Sequence, residues 1–398
     1  MGKLSGLNKI IDEVIAIRRD LHAYPELSGE EFETSKKVQN KLREYGIPFQ
    51  TGYAKTGVLG VIKGKKDGKT IGLRADMDAL PIIEKTDVPF KSKVPGKMHA
   101  CGHDAHTAML LGVGKYLMER IDEVEGTVLL IFQPAEEDSP RGGAQQMIED
   151  GLFREHVPDV LIAQHVWPGL PVGQFGVMEG PIMGNSDRFT VTIRGSGGHA
   201  SMPHETVDAL VIANQVFTTL QTIVSRNVNP FDPAVLTIGK MQGGYRYNVI
   251  ADEVTMEGTI RTQSNETKKK IKRIFHEIVN GVATSMGAEA DIQYFDGYPA
   301  TVNTPRWAHR VRKTAEKLYG EKSLPKVTPS LGGEDFGRFL IKYPGVYYWL
   351  GCSIGDNQKP LHDPHFKLNE ECLHYGVELM TQVAIDTLIE LKEMAYVE

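Results

Sequence analysis

The segment MHACGHDAHT, residues 98–107, holds Cys101 together with His99, His103, Asp104 and His106, just ahead of a helical pattern. Thiolate and imidazole are the donors that zinc-like ions prefer, and Cys-Gly-His sets two of them on one side of an extended turn. FQPAEED, 132–138, follows an apolar run and carries the adjacent carboxylates Glu136 and Glu137. Such a pair can divide the work, one oxygen coordinating a metal while the other carboxylate takes a proton from the water the metal activates. In AQHVW, 163–167, His165 ends an apolar run, and KPLHDPHF, 359–366, brings His362 or His365 from the far end of the chain. LRADMDALP, 73–81, aligns Arg74, Asp76 and Asp78 by the period of two of a strand, and buried acids there want a cation or a histidine partner. Cys, His, Glu, His and His make about five donors, more than one tetrahedral zinc takes and about the number a two-metal site uses.

Other chemistries are not supported. GKKDGKT, 64–70, has three residues between its glycines where a P-loop needs four, and it joins two predicted strands, so a hairpin turn is expected there. HETVD and HEIVN lack the second histidine of HExxH, and there is no GxSxG elbow. Lys plus Arg at 45 against Asp plus Glu at 51 gives a net charge of −6 with no basic block, which argues against a nucleic-acid partner. No apolar run is long enough for a membrane span. The three cysteines are widely spaced, which fits a reducing compartment, and no targeting signal is legible, so a cytoplasmic protein is expected.

The elements that must position these residues change character along the 398-residue chain, which is long enough for two domains. Helical spacing over 8–22 and 31–45 opens it. Near-continuous apolar runs at 58–62, 70–76, 127–133 and 159–166 then alternate with helical patterns at 105–120 and 141–150, as in a mostly parallel sheet covered on both faces. The catalytic candidates fall at the carboxyl ends of these runs, where open α/β sheets bind ligands. From about 184 the texture differs: RFTVTIR (188–194) and VTMEGTIR (254–261) alternate apolar and polar, with helices expected at 206–225 and 266–286 and short strands near 235–240 and 290–295. After about 300 the first texture resumes, with a buried strand at 347–351 and a closing helix over 369–394. The expected architecture is an α/β domain of residues 1–183 and 299–398, interrupted by an α+β insertion, 184–298.

In order along the chain, RADMDALP, MHACGHDAHTAMLLG, LIFQPAEE, AQHVWPGLPVG, GSGGHASMPH, YNVIADEVTMEGTIRT, GGEDF and LHDPHF resemble the M20 metallopeptidase family. Within it they resemble the amidohydrolase branch of aminoacylases, hippurate hydrolases, N-acetyldiaminopimelate deacetylases, plant auxin-conjugate hydrolases and archaeal carboxypeptidases. The CGH arrangement departs from relatives with a bridging Asp in a different motif, which favours that branch over dipeptidases and aminopeptidases. The resemblance implies two divalent metal ions per subunit, zinc or else manganese, cobalt or nickel, held by Cys101, His103, Glu137, His165 and His362. It makes Glu136 the general base, and His199 a group that reaches the neighbouring subunit's site and stabilises the oxyanion. Asn248 and Arg261 match positions that bind the substrate's carboxylate, and Asp78 and Glu334 match positions that orient ligands or close the site. The insertion becomes a lid and dimerisation domain of a homodimer or homotetramer. The implied activity is hydrolysis of the amide bond of N-acyl-L-amino acids, small-molecule substrates, with a carboxypeptidase or dipeptidase acting on short peptides as the alternative. A catalytically silent metal-binding dimer would have no use for both Glu136 and Glu137.

Overall fold

The computed structural model describes residues 4–395. Along the chain run α1 (Leu7–Ala23), α2 (Phe32–Glu44), β1 (Phe49–Tyr53), β2 (Gly57–Lys63), β3 (Lys66–Asp76), α3 (His103–Glu119), β4 (Glu125–Gln133), α4 (Gly142–Glu149), β5 (Val160–Pro171), β6 (Phe175–Gly176) and β7 (Gly180–Met183). They are followed by β8 (Ser186–Arg194), β9 (Gly198–His199), α5 (Ala209–Leu220), β10 (Ala234–Gly243), β11 (Val249–Ile250), β12 (Glu253–Thr262), α6 (Asn265–Ser285) and β13 (Glu289–Tyr298). Last come β14 (Thr301–Asn303), α7 (Pro305–Tyr319), α8 (Gly337–Leu340), β15 (Gly345–Ser353) and α9 (Glu371–Ala395). The chain divides into two compact units. The first comprises the residues up to Ile182, Val302–Thr328 and those from Asp335 onward; the second is Met183–Thr301 with Pro329–Glu334. That short return, 329–334, lies in a stretch the linear reading gives to the α/β domain.

The first unit is built on a seven-stranded sheet of order β1-β2-β4-β3-β5-β15-β6. Its four central strands, β4, β3, β5 and β15, are parallel, while β1, β2 and β6 pair antiparallel at the edges. The central strands read as unbroken apolar runs because both faces are covered: 128–133, 160–166 and 345–352 are buried throughout. Helix α3 is buried over residues 103–114 and packs against α1 and α9, so the segment that carries the thiol and imidazoles is embedded in the core.

Two local expectations are corrected. Residues 64–69 do not turn a hairpin, because β4 lies between β2 and β3, antiparallel to one and parallel to the other. Nor does β5 stop at His165; it continues to Pro171, since pairing with β15 runs on through Trp167 and, after a register shift, Pro171.

The second unit is a four-stranded antiparallel sheet, β10-β12-β8-β13. Phe189, Val191 and Ile193 of β8 and Val254, Met256 and Ile260 of β12 face one core with Ile212 and Val216 of α5 and Ile271, Phe275 and Val279 of α6. One covered face explains the alternation in these strands. Helix α5 starts later than its apolar pattern because Asp208 caps it, accepting from the N–H groups of Leu210 and Val211, and Ser264 caps α6 through the N–H of Thr267. No helix among the described residues is long and apolar enough to cross a membrane.

Candidate active site

In the first unit the loop after β4, the middle of β5, the turn into α3 and the segment after β15 place six donors in overlapping groups. Cys101, Glu137 and His362 present atoms within 4.8 Å of one another, as do His103, Glu136 and Glu137. The Cys101 Sγ is 3.4 Å from His165 Nε2, which joins His165 to the set. The floor is buried and the mouth, at His362, is exposed.

The two floor histidines are held in one tautomer by their outer nitrogens. His165 Nδ1–H donates to the Val166 carbonyl at 2.7 Å, and His103 Nδ1–H donates to Asp78 Oδ1 at 3.1 Å. Each Nδ1 is thereby committed as a donor, and Nε2 is the nitrogen left toward the donor set, the arrangement that partners of metal-bound histidines impose. Asp78 does a second task with its other oxygen, which accepts from Ser28 Oγ at 2.6 Å and from the Glu137 N–H at 2.9 Å.

Gly102 lets this geometry close. It lies at φ +84, and a Cβ there would stand 2.4 Å from Val166 Cγ2, so only glycine lets the Cys101–His103 turn lie against the strand carrying His165. Gly102→Ala is expected to cost about 3 kcal/mol, left-handed strain and overpacking together, and to lower bound metal. Denaturant unfolding and metal analysis check this; an unchanged midpoint would show that the turn has room to spare. His362, at φ +67, is itself left-handed, and its N–H donates to the Ala100 carbonyl at 2.9 Å, tying the mouth to the thiol segment.

The donor set fits metal ions on three observations. His103 Nε2 is buried without a hydrogen bond, and Glu137 Oε1 is 3.0 Å from His362 Nε2 yet makes none. Burial, together with the charges of Glu137 and Glu136, pushes the Cys101 thiol well above its usual range. Burial pushes His103 down, but the Asp76 and Asp78 carboxylates outweigh it and raise it to about 10. The negative field of these carboxylates favours the protons on thiol and imidazole, and divalent cations are what would displace them.

The remaining candidates of these motifs have other duties. His106 is saturated, Nδ1–H donating to Asp76 Oδ1 at 2.5 Å while Nε2 accepts the Val166 N–H at 2.9 Å. Asp104 pairs with Arg18 and His22, and exposed His365 with Asp363, which leaves His362 as the donor from its motif. His99 is buried, and neither ring nitrogen makes a hydrogen bond. Arg74 and Asp76 share a face as the strand period requires and bond at 2.7 Å, and Arg74 also donates to Gln133 and Asp335 beneath the glutamate loop.

The substrate-side candidates belong to the second unit. His199 pairs with Val249, and the Ala200 N–H donates to the Asn248 carbonyl, so His199 and Asn248 are neighbours on the β9-β11 ladder. His199 Nδ1 accepts from the Ser201 N–H and hydroxyl, which leaves Nε2 as the N–H donor on an exposed ring. Asn248 Oδ1 is buried without a partner. Arg261 lies half-buried on the polar face of β12 with no ion pair among the described residues, and burial lowers its pKa. Glu334 is buried, and its carbonyl accepts from Thr301 Oγ1. The sequence reading missed Glu31, which bonds the backbone of the glutamate loop; the only sequence signal, an acidic pair ahead of α2, also suits a solvated helix start.

The model of the peptidase family M20/M25/M40 matches residues 72–386. The chain is 41% identical over 377 residues to thermostable carboxypeptidase 1 of Saccharolobus solfataricus, covering 93% of this chain and 94% of that one. It is 40% identical over 380 residues to an N-acetylcysteine deacetylase of Bacillus subtilis, covering 95% and 98%. A Bacillus subtilis dinuclear metal-binding peptidase of known crystal structure superposes with a TM-score of 0.84 at 37% identity, over 96% of this chain and 99% of that one. Long matches of this kind, on a chain whose carboxylates, thiol and imidazoles gather as described, lead to one conclusion: the protein belongs to peptidase family M20/M25/M40 and is a metal-using hydrolase of amide or peptide bonds.

Proposed function

We propose that the protein hydrolyses the amide bond of N-acyl-L-amino acids, releasing a carboxylic acid and a free amino acid. The observation that carries this reading is Glu136, a buried carboxylate beside the donor set and adjacent to Glu137. The relative that is an N-acetylcysteine deacetylase supports acylated substrates. The carboxypeptidase relative keeps peptides as a second reading, because that activity needs the same carboxylate recognition.

Cys101, His103, Glu137, His165 and His362 would hold two divalent ions, zinc or else manganese, cobalt or nickel, which supply Lewis acidity toward the amide carbonyl and toward water. Glu136 takes the proton of the attacking water and returns it to the departing nitrogen, the shuttle a carboxylate at hydrogen-bond reach performs. Asp78 holds His103 and the Glu137 amide in register meanwhile. His199 offers Nε2–H to the developing oxyanion, with its tautomer fixed by Ser201. Arg261, half-buried and without an ion pair among the described residues, suits the substrate carboxylate, with Asn248 beside His199 as a second contact.

The second unit would also join two copies as a homodimer. β10 is an edge strand, and Leu210, Val211, Val235 and Met241 are exposed on α5 and β10.

The test is amine release from N-acetyl and N-benzoyl amino acids and unblocked dipeptides by chelated protein with each metal restored in turn. Metal-dependent release confined to acylated compounds is expected. Release from dipeptides alone would establish the peptidase instead, and silence with every metal would leave only metal binding.

A further inference from the structure

Glu31 has no part in the chemistry described so far, yet it is fully buried and its carboxylate accepts three hydrogen bonds. One oxygen accepts from the Gly29 N–H at 2.9 Å and from the Ala135 N–H at 2.8 Å; the other accepts from Thr56 Oγ1 at 2.8 Å. Ala135 immediately precedes Glu136 and lies at φ +54, a conformation that a side chain with a β-carbon adopts only when its surroundings enforce it. The Ala135 carbonyl in turn accepts from the Gly143 N–H at 2.9 Å, and a Cβ at Gly143 would sit 1.7 Å from the Pro134 oxygen, so the loop is folded tightly on itself. On the far side of Glu136, the Glu137 N–H is held by Asp78. Glu136 is thus bracketed by two amides, each fixed by a buried carboxylate from a different part of the chain. Burial and the charge of Asp78 push the Glu31 carboxyl up to about 7, so its hold on Ala135 rests on the acceptor oxygen more than on full charge.

We infer that Glu31 is a positioning residue, which aims the Glu136 carboxylate by holding the Ala135 N–H in the left-handed bend. The inference rests on Glu136 as the proton carrier. Without the acceptor, Ala135 relaxes toward a right-handed or extended conformation and the Glu136 side chain swings away from its target. A misplacement of about 1 Å in such a group costs on the order of 100-fold in rate.

Two variants separate aiming from mere packing. Glu31→Met fills the same space without an acceptor, whereas Glu31→Gln keeps a carbonyl oxygen for Ala135. Glu31→Met is expected to lose about 100-fold in kcat with KM and metal content unchanged, and to speed hydrogen exchange at the Ala135 amide. Glu31→Gln is expected to stay close to wild type in both. Wild-type kcat and exchange in Glu31→Met would overturn the inference. If Glu31→Met does not fold, wild-type exchange decides alone: strong protection of the Ala135 amide supports the anchor, and exchange at open-loop rates removes it. Should Glu136→Gln retain turnover, the proton-carrier reading fails, while the exchange data still report on the anchor.

Discussion

Glu136→Gln is expected to lower kcat by about 10³-fold, equivalent to about 4 kcal/mol at the transition state, with KM and bound metal unchanged. The substitution is isosteric, so the buried pocket that holds this side chain need not rearrange. What changes is chemical: a carboxamide cannot accept a proton from water nor pass one to the leaving nitrogen. Glu137, one residue on, cannot take over, because its free oxygen faces His362 and Cys101 and its amide is tied to Asp78. Because the loss falls in the chemical step, substrate should still saturate the variant at wild-type concentrations. Steady-state kinetics with metal analysis on the same sample checks this. Full turnover in Glu136→Gln would sink the mechanism, and loss of metal together with activity would place Glu136 among the ligands.

How far the sequence reveals such a site depends on whether the physics is local. The buried strands were legible because a strand covered on both faces has to be apolar throughout, as 128–132 is, and β8 and β12 were legible because one covered face forces alternation. The site candidates were legible from residue type, since a thiol and imidazoles grouped within ten residues serve few purposes in a core. Partner choice is not local. Nothing in 64–69 says that β4 inserts between β2 and β3, so adjacency in sequence suggested a hairpin. Gln164 and His165 look like the end of a strand, yet pairing with β15 carries β5 past them. Glu31 reads as one of two acids at a helix start, and its buried partners include Thr56, 25 residues away, and Ala135, 104 residues away. The backbone bond from His362 to Ala100, which sets His362 and not His365 beside the thiol segment, is likewise encoded by no local pattern.

His165→Ala is expected to abolish turnover by a different route from Glu136→Gln, through loss of metal. His165 Nε2 lies 3.4 Å from the Cys101 Sγ, and neither His106, with both nitrogens engaged, nor His103, fixed by Asp78, is free to replace it. An ion that binds only the folded chain stabilises it by RT ln(1 + [L]/Kd), about 4 kcal/mol at a thousandfold excess over Kd. Chelation of the wild type should therefore remove activity and lower the unfolding free energy by up to about that amount, and restored metal should return both. His165→Ala should start at the chelated level and respond weakly to added metal, whereas Glu136→Gln should show the full metal-dependent stabilisation with almost no turnover. Unfolding curves of the three proteins, with and without chelator, separate holding the ion from moving the proton. If His165→Ala keeps the wild-type metal stoichiometry and the wild-type stabilisation, His165 is not a ligand, and its neighbour Cys101 must find its partner ions without it.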